Sequence, residues 1–209
     1  MEESDEMNIE NNENIEETNS TNEVHDVEES LVEEKNSKTA EIIKEIKSYV
    51  CIVIAAIVVA VVVNTFLLSN TRIPTGSMEN TINCGDRLFG NRLAYKTKDV
   101  KRKDVIIFKY PDDPNINYIK RVIGLPGEEV NIVDGTVYVD GKIIEEDYLK
   151  EDFNGSFGPY KVPKDSYFVM GDNRNNSNDA RFWENTYVHK DAIIAKAVVR
   201  YFPGIKFIK

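Results

Sequence analysis

The sequence predicts a mainly β fold, an antiparallel β domain preceded by one N-terminal transmembrane helix. Three observations predict it. An uncharged apolar run from Tyr49 to Leu68 reads YVCIVIAAIVVAVVVNTFLL. Beyond it, short runs of β-branched and aromatic residues stand where a sustained 3.6-residue period would mark helices. Among those runs the pair Asp-Gly occurs twice in close succession, at Asp134-Gly135 and Asp140-Gly141, the strongest short signal of a hairpin.

The apolar run matches the roughly 20 residues that a helix needs to cross a bilayer. A core helix of a soluble protein is rarely apolar on all faces. A cleaved leader has a short charged region ahead of its apolar core, whereas 48 residues precede this one. The run therefore reads as a non-cleaved anchor. Ile42, Ile43, Ile46 and Val50 recur at helical spacing with lysines between them, so the helix is expected to start near Thr39. Lys35, Lys38, Lys44 and Lys47 precede the span and only Arg72 closely follows it. The positive-inside rule then puts the amino terminus in the cytoplasm and the chain after Leu68 outside. The expected organisation is a cytoplasmic tail over 1–38, a juxtamembrane and transmembrane helix over 39–70, and an extracytoplasmic domain over 71–209.

The formal charge of −10 belongs to the tail. Fourteen of the 36 acidic residues fall between Met1 and Glu34, where there is no Lys or Arg, so the remainder is mildly basic. A segment rich in Glu and Asn cannot bury enough apolar surface to offset its ordering entropy, and disorder is expected there.

The strand runs begin at Asp104-VIIFKY, Asn117-YIKRVIG, Glu129-VNIV, Thr136-VYV, Lys142-II, Ser166-YFVM and Ala192-IIAKAVVRYF. The acidic, Gly-containing stretch 145–164 is expected to protrude as a loop or small subdomain. Cys51 lies inside the apolar run and Cys84 beyond it, so a disulfide between them would have to cross the membrane boundary. Cys84 reads as an ordinary small buried residue.

Only two histidines are present, and His25 lies in the tail. A Ser-His-Asp triad would have to use His189, and no serine sits in a G-x-S-x-G elbow. Ligands for zinc are too few, and no Gly-rich phosphate cradle is present. No metal, cofactor or nucleic acid is expected. If the chain is a hydrolase, lysine is the base that remains, and a Ser-Lys pair is an accepted variant of triad logic.

Three segments offer material. In Arg72-IPTGSMENTI, Ser77 sits in a turn between Gly76 and Met78, with backbone N–H groups free to face an oxyanion; such a turn is also common as a mere turn. In Tyr118-IKRVIGLPG, a period-2 strand would bury either Lys120 or Arg121. Burial can depress a lysine pKa by ~3–5 units and yield a neutral amine, while an edge strand would leave the same lysine in solvent. A charged Arg121 beside Lys120 would push in the same direction. In Met170-GDNRNNSNDARFW, a polar loop supplies Ser177 and a pair, Asp179 and Arg181, that can brace one another.

Together these segments resemble the bacterial type I signal peptidase family, from the anchor to nearly the end of the chain. Pro74-Thr-Gly-Ser-Met78 looks like the nucleophile box. Gly85-Asp-Arg-Leu-Phe89 with Asn91-Arg92 resembles the next. Lys103-DVIIF and Tyr118-IKRVIGLPG resemble the lysine box, and Gly171-Asp172-Asn173-Arg174 with Ser177, Asp179 and Arg181 the last. Lys103 and Ala180 depart from the residues usual in the family, Gly and Ser, at positions that take no part in the reaction. Lysine rather than histidine at position 120 points to the bacterial form over its endoplasmic-reticulum relatives.

The resemblance implies a β domain of the type shared by signal peptidases and SOS-repressor proteases. It implies Ser77 as nucleophile, Lys120 as base, Thr75 and the Ser77 N–H at the oxyanion, and Ser177 hydrogen-bonded to Lys120. Met78, Arg121, Gly171, Asp172, Asp179 and Arg181 would support the site. The implied substrates are preprotein signal peptides with Ala at the first and third positions before the cut, met at the lipid surface. Two other readings carry different expectations. A self-cleaving SOS-type repressor would bring a DNA-binding domain in place of a membrane span. An inert anchored β module would be indifferent to the loss of Ser77.

Overall fold

The computed structural model describes Lys35, Lys38, Thr39 and residues 42–209. The acidic stretch, and with it the expectation of disorder, lies outside the described residues. The described residues divide into two units, one ending at Val59 and the other spanning Ala60–Lys209.

Helix α1 runs over Ile42–Leu67, long enough and apolar enough to cross a membrane. Most of its described side chains are exposed, and Val63 and Leu67 in the last turn are half-buried. The last turn, Val63–Leu67, widens to a π-helix, and the Leu68 N–H closes it by donating to the Val63 carbonyl. Leu68 is already extended, and strand β1 (Leu68–Arg72) follows with no loop between. The helix thus ends short of the expected 70, because Leu68, Ser69 and Asn70 pair with Asn91, Gly90 and Phe89.

The second unit holds two antiparallel sheets. The larger contains β1, β2 (Arg87–Asn91), β3 (Val105–Lys109), β4 (Asn117–Gly124), β9 (Ser166–Met170), β10 (Val188–His189), β11 (Ile193–Phe202) and β12 (Lys206–Phe207). Its order is β1-β2-β11-β3-β4-β9-β10, with β12 against β11. The smaller contains β5 (Glu129–Val133), β6 (Thr136–Val139), β7 (Lys142–Ile143) and β8 (Phe157–Lys161) in the order β7-β6-β5-β8. Every strand run read from the sequence forms a strand. Both Asp-Gly pairs form two-residue hairpins, with positive φ at Asp134, Gly135, Asp140 and Gly141, as a type I′ turn requires. At Gly135 a side chain is also impossible, since a Cβ would lie 1.7 Å from the Phe153 carbonyl oxygen.

The stretch 145–164 is not wholly a loop. Its second half supplies β8, and its first half folds back to bring Glu146 and Tyr148 against buried arginines.

The larger sheet is covered on both faces, which explains why β3 is apolar from Val105 to Phe108. Ile106 and Phe108 belong to one core cluster, with Val122, Phe168, Val169 and Trp183. Val105 and Ile107 belong to another, with Ile73, Met78, Ile82, Leu88 and Ile119. Strand β4 shares this position, so Lys120 and Arg121 are both buried, at 4% and 1% exposure, on opposite faces. The expectation that only one would be buried assumed a sheet with one wet face.

Candidate active site

Two elements bring the central pair together. Lys120 lies in β4 opposite Ile106, held by the β3–β4 ladder. Ser77 lies in the turn that follows β1, and Met78, fully buried beside Ile73 and Ile82, fastens that turn to the core. The Lys120 Nζ donates to the Ser77 Oγ at 2.6 Å, and both residues are buried. Burial pushes the Lys120 pKa from 10.5 down to about 8, because the ammonium loses its water. The carboxylates of Asp179 and Asp172 oppose that shift, and the Arg181 guanidinium adds to it. The repulsion thus comes from Arg181 and not from the adjacent Arg121, which faces away.

Arg121 is spent on the other side of the strand. Its Nε donates to Asp172 Oδ1 at 2.7 Å and one terminal nitrogen to Oδ2 at 2.6 Å, while the ring of Tyr148 lies 3.9 Å away. The other terminal nitrogen donates to the carbonyls of Lys103 and Lys209. Asp172 also accepts from the Thr81 hydroxyl. A second buried pair joins Arg181 to Asp179, at 2.7 Å and 2.9 Å. The Arg181 guanidinium packs against Phe153, Phe157 and Phe182. Asp179 also accepts from the Gly171 N–H and from the Ser177 hydroxyl at 2.7 Å. The Ser177 proton therefore goes to Asp179, and no hydrogen bond joins Ser177 to Lys120 among the described residues.

Gly171 is where the two halves of the site touch. A Cβ there would lie 2.3 Å from the Ser177 Oγ and 2.4 Å from the Ser77 carbonyl oxygen. Next to it the Asn173 N–H donates to that Ser77 carbonyl, and its side-chain amide to the Gly76 carbonyl at 3.1 Å. Arg174 pairs with Glu146 and donates to the Gly171 carbonyl. Asn173, Glu146 and Tyr148 were missed as site residues in the sequence. Asn173 stands inside the last box and was within reach of sequence reasoning. Glu146 and Tyr148 come from a stretch with no local signal, and only tertiary contact reveals them.

A cavity of about 390 Å³ opens beside the pair, lined by Pro74, Thr75, Ile116, Tyr118, Asn176 and Asn178 as well as Ser77 and Lys120. Thr75 is exposed at its rim, and its hydroxyl makes no hydrogen bond among the described residues. His189 is exposed and faces Asp191, away from this group. Cys84 is exposed rather than buried, because its turn lies at the surface, where its thiol donates to the Pro74 carbonyl.

The profile of the family described as signal peptidase, peptidase S26, matches residues 46–202. The chain belongs to that family. Among its relatives, a signal peptidase I of Leptolyngbya laminosa is 41% identical over 71% of this chain and 75% of its own length. A probable signal peptidase I-2 of Synechocystis sp. is 37% identical over 72% and 70%. Signal peptidase I P of Bacillus subtilis subsp. natto is 36% identical over 83% and 96%. Membership in the signal peptidase family makes the chain a protease, and the mainly antiparallel β fold described above accords with it.

The crowding at Gly171 gives a first prediction for such a protease. Gly171→Ala should push the Ser77 turn away from Lys120, and a misplacement near 1 Å can cost ~10²-fold in kcat. Peptide cleavage by the folded variant measures this, and wild-type turnover would show that the contact yields without consequence.

Proposed function

We propose that the chain is a membrane-anchored serine endopeptidase that removes N-terminal signal peptides from exported preproteins, with Ser77 as nucleophile and Lys120 as general base. The buried 2.6 Å contact between the two side chains carries the reading. Reversed in polarity, that contact is the catalytic one. The neutral amine accepts the Ser77 proton as Oγ attacks the scissile carbonyl, then, as ammonium, donates it to the leaving amine. Water, deprotonated by the same amine, releases the acyl-enzyme.

The Thr75 hydroxyl and the Ser77 N–H make no hydrogen bond among the described residues, which supports a role for both as oxyanion donors. Asp179, anchored by Arg181, holds Gly171 and Ser177 in place around the pair. The edge of β4 supports a place for substrate. β4 pairs with β9 only from Arg121 onward, so Asn117–Lys120 present one unpaired edge to the cavity. An extended peptide can add there as a strand. The largely apolar lining of the cavity is in keeping with Ala at the first and third positions before the cut.

Helix α1 supports anchoring, and the lysines before its uncharged apolar run support a cytoplasmic amino terminus. Ser77 follows Leu68 by only nine residues, so enzyme and substrate would share one surface and a raised effective concentration.

The protonation state of Lys120 tests the mechanism. A lysine at its ordinary pKa of 10.5 is neutral in roughly one molecule in three thousand at pH 7, and one at about 8 in roughly one in ten. The base must be neutral, so kcat/KM should fall as pH drops through about 8 and level off above it. NMR titration of a labelled Lys120 amine in the free enzyme should report the same pKa. An amine that titrates like free lysine, in an enzyme fully active at neutral pH, would pass the role of base to another group.

Thr75 permits a narrower test. Thr75→Val should lower kcat while leaving KM nearly unchanged, with a loss of ~2.7–4 kcal/mol in transition-state stabilisation, and Thr75→Ser should be mild. A change confined to KM would make Thr75 a substrate contact instead.

A further inference from the structure

The connection between β2 and β3, residues 92–104, carries six basic residues and two acidic ones. It begins where the chain leaves α1. The Arg92 N–H donates to the Leu67 carbonyl at 3.0 Å, and its Nε to the Leu68 carbonyl at 3.1 Å. Two of the six cations are occupied elsewhere. Arg102 pairs with Glu128, and Lys103 lies against the Tyr148 ring. Arg92, Lys96, Lys98 and Lys101 are exposed, and none makes an ion pair among the described residues.

Behind this connection lies a second cavity, of about 490 Å³ and mostly polar. Its walls include Asn91, Tyr95, Thr97, Lys98, Lys101 and Lys196. Two carboxylates share the lining. Asp104 is already committed, accepting from Lys196, from the Tyr95 hydroxyl and from the Lys101 N–H. Asp99 is exposed and is outnumbered by the cations around it. The proposed protease reaction uses none of these groups.

We propose that this cavity holds the phosphodiester headgroup of an anionic phospholipid from the leaflet where α1 emerges. The proposal rests on reading α1 as a membrane anchor. Lysine ammonium groups bind phosphate oxygens as mobile point charges, and the Thr97 hydroxyl and Asn91 amide add neutral donors. Unpaired cations beside a bilayer surface gain from its negative potential, and that gain is screened by salt. The hydrogen bonds of Arg92 to Leu67, the last helical residue, and to Leu68, the first of β1, keep the cavity within reach of the headgroups. The acyl chains would remain in the bilayer.

The test uses the full chain in detergent micelles with phosphatidylglycerol or phosphatidylcholine added in equal amounts, and native mass spectrometry to count retained lipid. Phosphatidylglycerol should be retained roughly tenfold better than phosphatidylcholine. The double variant Lys98→Gln, Lys101→Gln should lose that preference, while its cleavage of a short soluble peptide stays unchanged. Inorganic phosphate at millimolar concentration should not displace the lipid; displacement would mean a site for free anions and would overturn the proposal. Equal retention of the two lipids, or a variant that keeps the preference, would overturn it as well. Flotation of the chain with phosphatidylcholine vesicles tests the anchor separately, so the two readings can fail independently.

Discussion

Ser77→Ala and Lys120→Ala are each expected to reduce cleavage of a model preprotein by a factor on the order of 10⁴–10⁶, as loss of a serine-protease nucleophile or its base does. Neither should unfold the domain. Ser77→Ala removes one hydroxyl, and Lys120→Ala removes a buried cation whose desolvation was itself unfavourable. In the proposed mechanism the two groups act as one unit, so the double variant should be no worse than the poorer single one. Circular dichroism establishes the fold and acyl-enzyme trapping the step. A folded Ser77→Ala protein that still turned over would remove Ser77 from the reaction, and a folded, active Lys120→Ala protein would do the same for Lys120.

The largest expected effect on stability lies on the opposite face of β4. Arg121 and Asp172 are both essentially without solvent, and Arg121 donates two short hydrogen bonds to the carboxylate. Asp172→Ala leaves a buried guanidinium with no counter-charge, a change that costs about 3–5 kcal/mol. Denaturant unfolding should show this as a lower midpoint with the slope unchanged. A second consequence separates electrostatics from simple loosening. The Asp172 carboxylate favours the Lys120 ammonium, so its removal should move the acid limb of the activity profile below about 8. A variant that is destabilised with its pH profile unmoved would show that Asp172 acts on the fold alone.

The sequence made the strands legible where β-branched runs met strong turns, above all around Asp134-Gly135 and Asp140-Gly141. It did not reveal β1 and β2, whose residues Leu-Ser-Asn-Thr-Arg and Arg-Leu-Phe-Gly-Asn have little intrinsic preference for strand. Those two form because they pair with each other and because β2 pairs with β11, a contact more than a hundred residues distant. β8 was hidden for the same reason, being a Gly- and Pro-containing segment recruited by β5. In the site, Ser77 and Lys120 could be named because few other residues were chemically available. The bonding around them could not. Ser177 sits two residues from Asp179 and donates its proton to that carboxylate in a short local bond, in place of the hydrogen bond to Lys120 that the resemblance implies. Glu146 and Tyr148 reach the arginines only through the fold of the smaller sheet.

The adjacency of Lys120 and Arg121 on opposite faces makes strand registry a chemical selector. Sliding β4 by one residue against β3 would exchange which of the two faces Ser77. A guanidinium there would remain protonated at any physiological pH, whatever its burial, and could never accept a proton. The same slip would set a lone ammonium against Asp172. Under the proposed mechanism, competing alignments of this hairpin would be chemically inert. The hydrogen bond from the Tyr110 N–H to the Ile116 carbonyl, which closes the hairpin connection, helps fix the register that sets Lys120 rather than Arg121 against Ser77.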